Sequence, residues 1–141
     1  MFSVGGKLGY DYELVLENAS YAPSNSFGTT DGAEIFAGSD AVGATASGGA
    51  GPFYLNSPDG YFTSDSVGDD DDFDHFLIFG NDQYPDTYYI AMEDLVHGGR
   101  DKREPDYNDM VVTAQTPIPG AVWLFASGLV GLVGYRKKVK K

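Results

Sequence analysis

The chain has no cysteine among its 141 residues. This absence excludes a disulfide framework, a thiolate metal site and a cysteine nucleophile. Basic residues are also scarce, because residues 1–115 hold four Lys and Arg against 21 Asp and Glu. A body this acidic repels phosphate backbones, so we expect no nucleic-acid partner and favour cations or neutral surfaces. The length suits one modest domain with its own core.

The common motifs of enzyme active sites are missing as well. The sequence has no Gly-x-Ser-x-Gly elbow, no His-Glu-x-x-His helix and no Gly-x-x-x-x-Gly-Lys loop. Its histidines, His75 and His97, are predicted as a strand residue and a turn residue rather than as paired ligands. The acidic residues offer many carboxylate pairs of the kind used in glycoside hydrolysis, but no pattern singles one out. We therefore expect a protein that is not an enzyme.

Residues 1–115 carry the alternating patterns of strands rather than the period of a helix. Alternation over residues 10–17 predicts a strand with one buried face, and residues 73–79 are predicted as a more deeply buried strand. Further strands are predicted at residues 87–92 and 110–114, with shorter ones at 34–36, 53–55 and 61–63. The glycine-rich residues 28–51 are predicted as a loop with one short strand. Short strands separated by turn clusters predict an all-β domain, an antiparallel β-sandwich or jelly roll.

Oxygen-bearing side chains are concentrated around two of these predicted strands. Glu93 and Asp94 follow one strand, while Asp106, Asn108 and Asp109 precede the next, with Asp101 between them. A hairpin would bring the carboxylates together, and a divalent cation would offset their repulsion. Carboxylates with an Asn carbonyl suit calcium, so the sequence predicts a calcium site from Glu93, Asp94, Asp101, Asp106, Asn108 and Asp109. The alternative is that these side chains bond to backbone N–H groups and cap turns.

A second acidic run offers another candidate cation site. Residues 69–72 are four consecutive aspartates, and Asp74 follows them. Consecutive side chains point in different directions, and such runs are usually solvated turns. The segment is therefore the weaker of the two candidates.

The last 26 residues, 116–141, differ in composition from the rest of the chain. Residues 120–135 contain no charge, and as a helix they would span about 24 Å, short of the roughly 30 Å hydrocarbon core. The apolar side chains of this predicted membrane segment include Ala121, Trp123, Leu124, Phe125, Leu129 and Leu132. The basic cluster Arg136, Lys137, Lys138, Lys140 and Lys141 would stay on the cytoplasmic side. A core helix is the alternative, but the segment has no polar stripe.

This tail resembles a PEP-CTERM sorting signal of the Val-Pro-Leu-Pro-Ala type. The matching positions are Thr116, Pro117, Ile118, Pro119 and Gly120, followed by the apolar run and the basic cluster. The resemblance implies export, an inner-membrane-anchored precursor, and removal of the tail by an exosortase-type membrane enzyme. Residues 1–16 do not have the pattern of a secretory signal peptide, so we expect the natural precursor to carry an export signal ahead of this segment.

A second resemblance covers the segment that carries the predicted calcium ligands. It is similar to an uncharacterised domain family found upstream of such sorting signals, and the matching residues are Glu93, Asp94, Leu95, Gly98, Gly99, Asp106, Tyr107, Asn108, Asp109 and Val111. This chain has a longer and more basic link between the glycines and Asp106. The resemblance implies a β-sandwich and, by association, a surface role, and it brings no established activity with it.

Together these features predict an exported protein of the cell surface or extracellular matrix. We expect a structural or adhesive role associated with exopolysaccharide. The alternative is a carbohydrate-binding module, because ten tyrosines and nine phenylalanines could stack on sugars. Most of these rings would equally fill a small β core, and the only tryptophan, Trp123, lies in the tail.

Overall fold

The computed structural model describes residues 9–65, 73–96, 106–117 and 125–130. These residues form nine strands in two antiparallel sheets. The strands are β1 (Tyr10–Glu17), β2 (Ser26–Thr29), β3 (Glu34–Ala37), β4 (Thr45–Gly48), β5 (Phe53–Ser57), β6 (Gly60–Thr63), β7 (Phe76–Asn81), β8 (Tyr84–Met92) and β9 (Met110–Gln115). A short 3-10 helix, Ala22–Ser24, connects β1 to β2. The predicted all-β, antiparallel class is confirmed.

The order of the strands determines which chain segments become neighbours. The larger sheet has the order β4-β1-β9-β8-β7, and the smaller sheet has the order β3-β2-β5-β6. Strands β8 and β9 pair as predicted for a hairpin, with Met92 opposite Met110. Strand β1 flanks β9 on its other side, with Glu17 opposite the same Met110. Because neighbouring strands are antiparallel, β1 and β8 end where β9 begins.

The core contains apolar side chains from both sheets: Tyr12, Leu14, Phe27, Phe36, Leu55, Phe62, Phe76, Ile90, Met92, Met110, Val112 and Ala114. The predicted alternation in β1 is confirmed at Tyr12 and Leu14, which are both buried. It fails at Leu16, which is 38% exposed. The pairing register of β1 with β9 shifts between Leu14 and Leu16, and such a bulge re-aims the following side chain.

Two sequence predictions about strands are wrong. Strand β7 begins only at Phe76, and Leu77, Ile78 and Phe79 are 45–47% exposed rather than deeply buried. β7 is an edge strand with β8 as its single neighbour in the larger sheet, so its apolar side chains lack a partner strand on one side. Residues 28–51 contain the end of β2 and all of β3 and β4, because pairing with neighbouring strands organises glycine-rich residues that have little pattern of their own.

The structure describes only part of the tail. Residues 125–130 are helical, and all six are exposed, with Phe125 at 74%. Thr116 continues the end of the sheet by donating its N–H to the Asp86 carbonyl at 3.0 Å, and Pro117 is exposed. Within the described ranges, no helix is long and apolar enough to cross a membrane. The predicted tail positions Ile118, Pro119, Gly120, Ala121, Trp123, Leu124, Leu132, Arg136, Lys137, Lys138, Lys140 and Lys141 lie outside the described residues.

Candidate metal centre

Three strand ends meet at one end of the larger sheet. Glu17 is the last residue of β1, and Asp109 immediately precedes β9. Glu93 and Asp94 immediately follow β8. The order β1-β9-β8 places these acidic residues side by side. The topology thus concentrates negative charge where three neighbouring strands start or stop.

Glu93, Asp94 and Asp109 form the centre of this acidic cluster. One carboxylate oxygen from each residue lies within 4.8 Å of the other two. Among the described residues, this is the one group of three acidic or histidine side chains close enough to hold a metal ion together. Glu93 is 5% exposed and Asp94 is 0% exposed. At an effective dielectric constant of about 20, two unit charges at such a separation repel by about 3 kcal/mol. The cluster therefore needs a compensating cation or protons.

Backbone hydrogen bonds hold the acidic segments against one another. The Asp94 N–H donates to Asp109 Oδ2 at 2.9 Å, which joins the end of β8 to the start of β9. The Asn18 N–H donates to the Asp109 carbonyl at 2.8 Å, which joins the end of β1 to the same residue. The Asp106 N–H donates to Glu93 Oε2 at 3.3 Å. The positions of the carboxylates are thus set by the backbone.

Asp94 is also tied to the smaller sheet. Asn25, which lies between the 3-10 helix and β2, donates from Nδ2 to Asp94 Oδ2 at 2.9 Å. Ser57, the last residue of β5, donates its hydroxyl to the Asp94 carbonyl at 2.9 Å. Asp94 therefore joins the two sheets at this end of the domain.

Three buried side-chain oxygens around the cluster lack a hydrogen-bond partner: Glu17 Oε2, Asn25 Oδ1 and Asp94 Oδ1. In the part of the chain that the structure describes, no other buried side-chain oxygen or nitrogen lacks a hydrogen-bond partner. All three atoms belong to this corner of the fold. Buried polar atoms are normally hydrogen-bonded, and leaving one unpaired costs free energy. Their common location indicates that the site is chemically incomplete without a further positive group.

His75 positions the Glu93 backbone. The Glu93 N–H donates to the His75 carbonyl at 3.0 Å, and the imidazole Nδ1 lies 2.9 Å from the Glu93 carbonyl oxygen. The ring is fully buried and stacks on Phe62, with the ring centroids 3.6 Å apart. It lies just before β7 rather than inside a strand, which corrects its predicted location. The imidazole contacts the backbone, so the cluster presents oxygen donors alone.

Burial raises the pKa of Glu17, Asp94 and Asp109 at this site. Burial raises the pKa of Glu17 to about 7; the bond from the Ala19 N–H opposes this, and the charges of Asp94 and Asp109 add to it. Burial raises the pKa of Asp94, the hydrogen bond from Asn25 lowers it, and the nearby Asp109 charge raises it again. Burial also raises the pKa of Asp109, and Glu93 adds to the increase. In the absence of a cation, Glu17, Asp94 and Asp109 therefore hold protons more tightly than usual.

The structure brings together half of the six predicted ligands. Glu93, Asp94 and Asp109 meet as the hairpin prediction required. Asp106 contributes a backbone N–H to Glu93, and its exposed carboxylate is not part of the set. Asn108 is half-buried, and Asp101 lies outside the described residues. The alternative prediction was that these side chains bond to backbone N–H groups. It holds at Glu93, whose carboxylate accepts the Asp106 N–H.

Sequence reasoning missed Glu17 and Asn25. Glu17 ends a predicted strand, but nothing in the sequence indicates that β1 pairs with β9. Asn25 lies beyond β1 in a segment without a regular pattern.

The second acidic candidate, residues 69–72 with Asp74, lies mostly outside the described residues. Its described member, Asp74, accepts a bond from the Phe76 N–H at 3.0 Å, as expected for a turn.

Aromatic side chains form two stacked pairs, each with one exposed and one half-buried ring. Tyr54 and Tyr61 belong to the smaller sheet, with ring centroids 5.3 Å apart. Phe79 and Tyr89 belong to the larger sheet, with ring centroids 5.4 Å apart. Tyr61 is 55% exposed and Phe79 is 46% exposed. Each sheet therefore offers one exposed ring to solvent, with a half-buried ring stacked against it.

Comparisons with known proteins leave the family open. The chain matches no protein-family model, no curated protein sequence and no solved structure. The chemistry of the acidic cluster therefore rests on the contacts described above.

Proposed function

We propose that this chain is an exported protein of the cell surface or extracellular matrix, released from its C-terminal tail by an exosortase-type membrane enzyme. The observation that carries the proposal is the exposure of residues 125–130, of which none belongs to the core. An apolar segment that does not complete a core is suited to another environment, such as a bilayer before processing. The two sheets then form a β-sandwich of the jelly-roll type that remains after the tail is removed.

The sequence pattern of the tail supports the same proposal. Pro117 and Pro119 flank Ile118 in the expected sorting motif, and proline favours an extended chain at the residue before it. An extended junction is accessible to a processing enzyme. The exposed Pro117, which follows the last backbone bond of the sheet at Thr116, agrees with a junction at this point.

The role we propose for the released domain is structural or adhesive, in association with exopolysaccharide. Its acidic surface disfavours nucleic acid. The acidic cluster lies at strand ends of the larger sheet and is bonded to the smaller sheet through Asn25 and Ser57, as expected for a site that stabilises a fold rather than one that binds substrate. We propose that the released domain is not an enzyme.

Processing in cells tests the proposal. The full chain, carrying an export signal, is expressed in a Gram-negative host with and without its exosortase-type enzyme. Mass spectrometry of the product reports its C-terminus. We expect loss of the whole tail, the apolar run together with the basic residues after Tyr135, only when the enzyme is present.

Two proline variants separate recognition of the motif from general damage to the chain. Pro119→Ala should leave the tail attached, whereas Pro85→Ala, at an exposed proline of β8, should be processed normally. An intact C-terminus in both hosts, or equal processing of wild type and Pro119→Ala, would contradict the proposal.

Carbohydrate binding is the second candidate function. The partly exposed pairs Tyr54–Tyr61 and Phe79–Tyr89 favour it, because stacked aromatic rings offer apolar faces to sugars. Retardation of the protein in gels that contain the host exopolysaccharide measures such binding. Tyr61→Ala or Phe79→Ala should abolish the retardation, whereas Tyr84→Ala, at an exposed ring outside both pairs, should not. Absence of retardation in the wild type excludes this candidate for that polysaccharide.

A further inference from the structure

We infer that Glu93, Asp94 and Asp109 bind one calcium ion, and that Asn25 and Glu17 supply further oxygen ligands to it. This inference goes beyond the proposed export and does not depend on the tail. It concerns a site at one end of the domain where both sheets meet. The ligands come from the ends of β1 and β8, the start of β9 and the segment before β2.

The central three carboxylates provide the charge and the proximity that a divalent cation requires. Their oxygens lie within 4.8 Å of one another, and two of the three residues are buried. The residues that the structure describes include no Lys or Arg, and the N–H groups that contact these carboxylates are neutral. A cation of charge two would neutralise most of this negative charge.

The unpartnered oxygens are an observation independent of the acidic cluster itself. Asn25 is neutral and 2% exposed, and its Oδ1 has no partner while its Nδ2 bonds to Asp94. The oxygen is on the same amide group, so it lies beside the cluster. Asp94 is fully buried, and its Oδ1 is likewise without a partner. A bound cation would satisfy both oxygens at once.

Glu17 extends the site toward β1. Its Oε2 is buried without a partner, while Oε1 accepts the Ala19 N–H at 3.1 Å, which fixes the carboxylate. Glu17 pairs with Met110 across β1 and β9, and the next residue, Asn18, donates its N–H to the Asp109 carbonyl, so Glu17 lies beside Asp109. Glu17 therefore belongs to the same negative field and can add a ligand from the third strand.

The donor set favours calcium over other divalent ions. All the candidate atoms are carboxylate or amide oxygens, whereas zinc prefers imidazole and thiolate ligands. Calcium accepts six to eight oxygens in a flexible arrangement, whereas magnesium keeps several waters and uses one or two carboxylates. Five protein side chains from four segments suit the larger, more tolerant coordination shell.

A calcium titration of the full chain tests the inference. Thermal unfolding is followed by circular dichroism in 10 mM calcium chloride, in 10 mM magnesium chloride and in EGTA. With a dissociation constant of roughly 0.1–1 mM, calcium should raise the midpoint by roughly 5–10 °C. Magnesium should give a clearly smaller shift. Equal shifts with the two ions would indicate general screening of an acidic chain and would overturn the site.

Matched variants locate the ion. Asp94→Asn should lose the calcium-dependent shift and remain at least as stable as wild type in EGTA, because it removes one of the crowded charges. Glu17→Gln should weaken calcium binding about tenfold. Asp65→Asn removes one charge at an exposed position and should keep the full shift. A folded Asp94→Asn variant with an unchanged calcium shift would refute the assignment.

A second measurement does not depend on whether a variant folds. During calcium titration of the wild type, the largest amide chemical-shift changes should occur at Asp94 and Asp109, and at Asn18, whose N–H contacts the Asp109 carbonyl. Changes confined to other acidic positions, such as Asp11 or Asp59, would place the ion elsewhere and overturn the inference.

Discussion

Gly38 is the position where one methyl group should damage both the fold and the site. It follows β3, and its N–H donates to the Asn25 carbonyl at 2.8 Å. A Cβ built on Gly38 would overlap the Ala22 carbonyl oxygen and would lie 3.2 Å from the Asn25 Cβ. The obstacle is a backbone atom, so a side-chain rotation cannot relieve it. Gly38→Ala must therefore displace the 3-10 helix and Asn25.

The cost of Gly38→Ala has two parts. Overpacking against a fixed neighbour typically costs 1–3 kcal/mol, and loss of the bond to the Asn25 carbonyl costs about 1 kcal/mol. The φ angle of Gly38 is not in the left-handed region, so no backbone strain is added. We expect the free energy of unfolding to fall by about 2–4 kcal/mol. Calcium binding should weaken as well, because Asn25 moves away from Asp94.

Urea unfolding in EGTA measures this loss, with Gly80→Ala as the matched control. Gly80 lies in β7, and a Cβ there meets nothing within 4 Å. The control should change stability by less than about 0.5 kcal/mol. Equal stabilities for the two variants, or a loss below 1 kcal/mol for Gly38→Ala at unchanged slope, would refute the steric reasoning.

The remaining predictions concern pH and the core. In EGTA, stability should fall as pH rises from 5 to 8, because the folded-state pKa of Glu17 is raised to about 7 and the protonated form favours folding. The expected loss of stability is about 1–2 kcal/mol after discounting for the partial exposure of Glu17. Glu17→Gln should flatten the pH profile of stability measured by urea unfolding. An unchanged profile in this variant would argue against Glu17 as the source of the pH dependence. Phe27 is fully buried, whereas Phe79 is 46% exposed. Phe27→Ala should therefore lower the free energy of unfolding by about 3–5 kcal/mol, and Phe79→Ala by about 1 kcal/mol or less. Similar losses for the two variants in calorimetry would contradict this placement of the core.

Local pattern was sufficient to predict several strands and part of the site. The alternation in residues 10–17 and the β-favouring residues 110–114 predicted β1 and β9, because side-chain direction alternates along any strand whatever its partner. The predicted hairpin of β8 and β9 also placed Glu93 and Asp94 beside Asp109. These predictions required only residues that are near each other in the chain or joined by one connection.

The edge position of β7 illustrates what local pattern does not contain. Its apolar sequence predicts burial, yet Leu77, Ile78 and Phe79 are half-exposed because β7 ends the sheet. Exposure depends on which other segments cover a strand, and that depends on the order of strands in the sheet. The weak patterns of β2 and β4 have the same explanation, since their conformation depends on partner strands.

The composition and order of residues determined an acidic all-β domain with an apolar tail, because charge, alternation and turn chemistry are properties of the chain itself. The complete acidic site was decided by tertiary structure. Glu17 reaches it because β1 pairs with β9, and Asn25 reaches it because the segment before β2 carries the chain to the smaller sheet. Contacts between residues 69 positions apart, such as Asn25 and Asp94, arise only when the two sheets assemble.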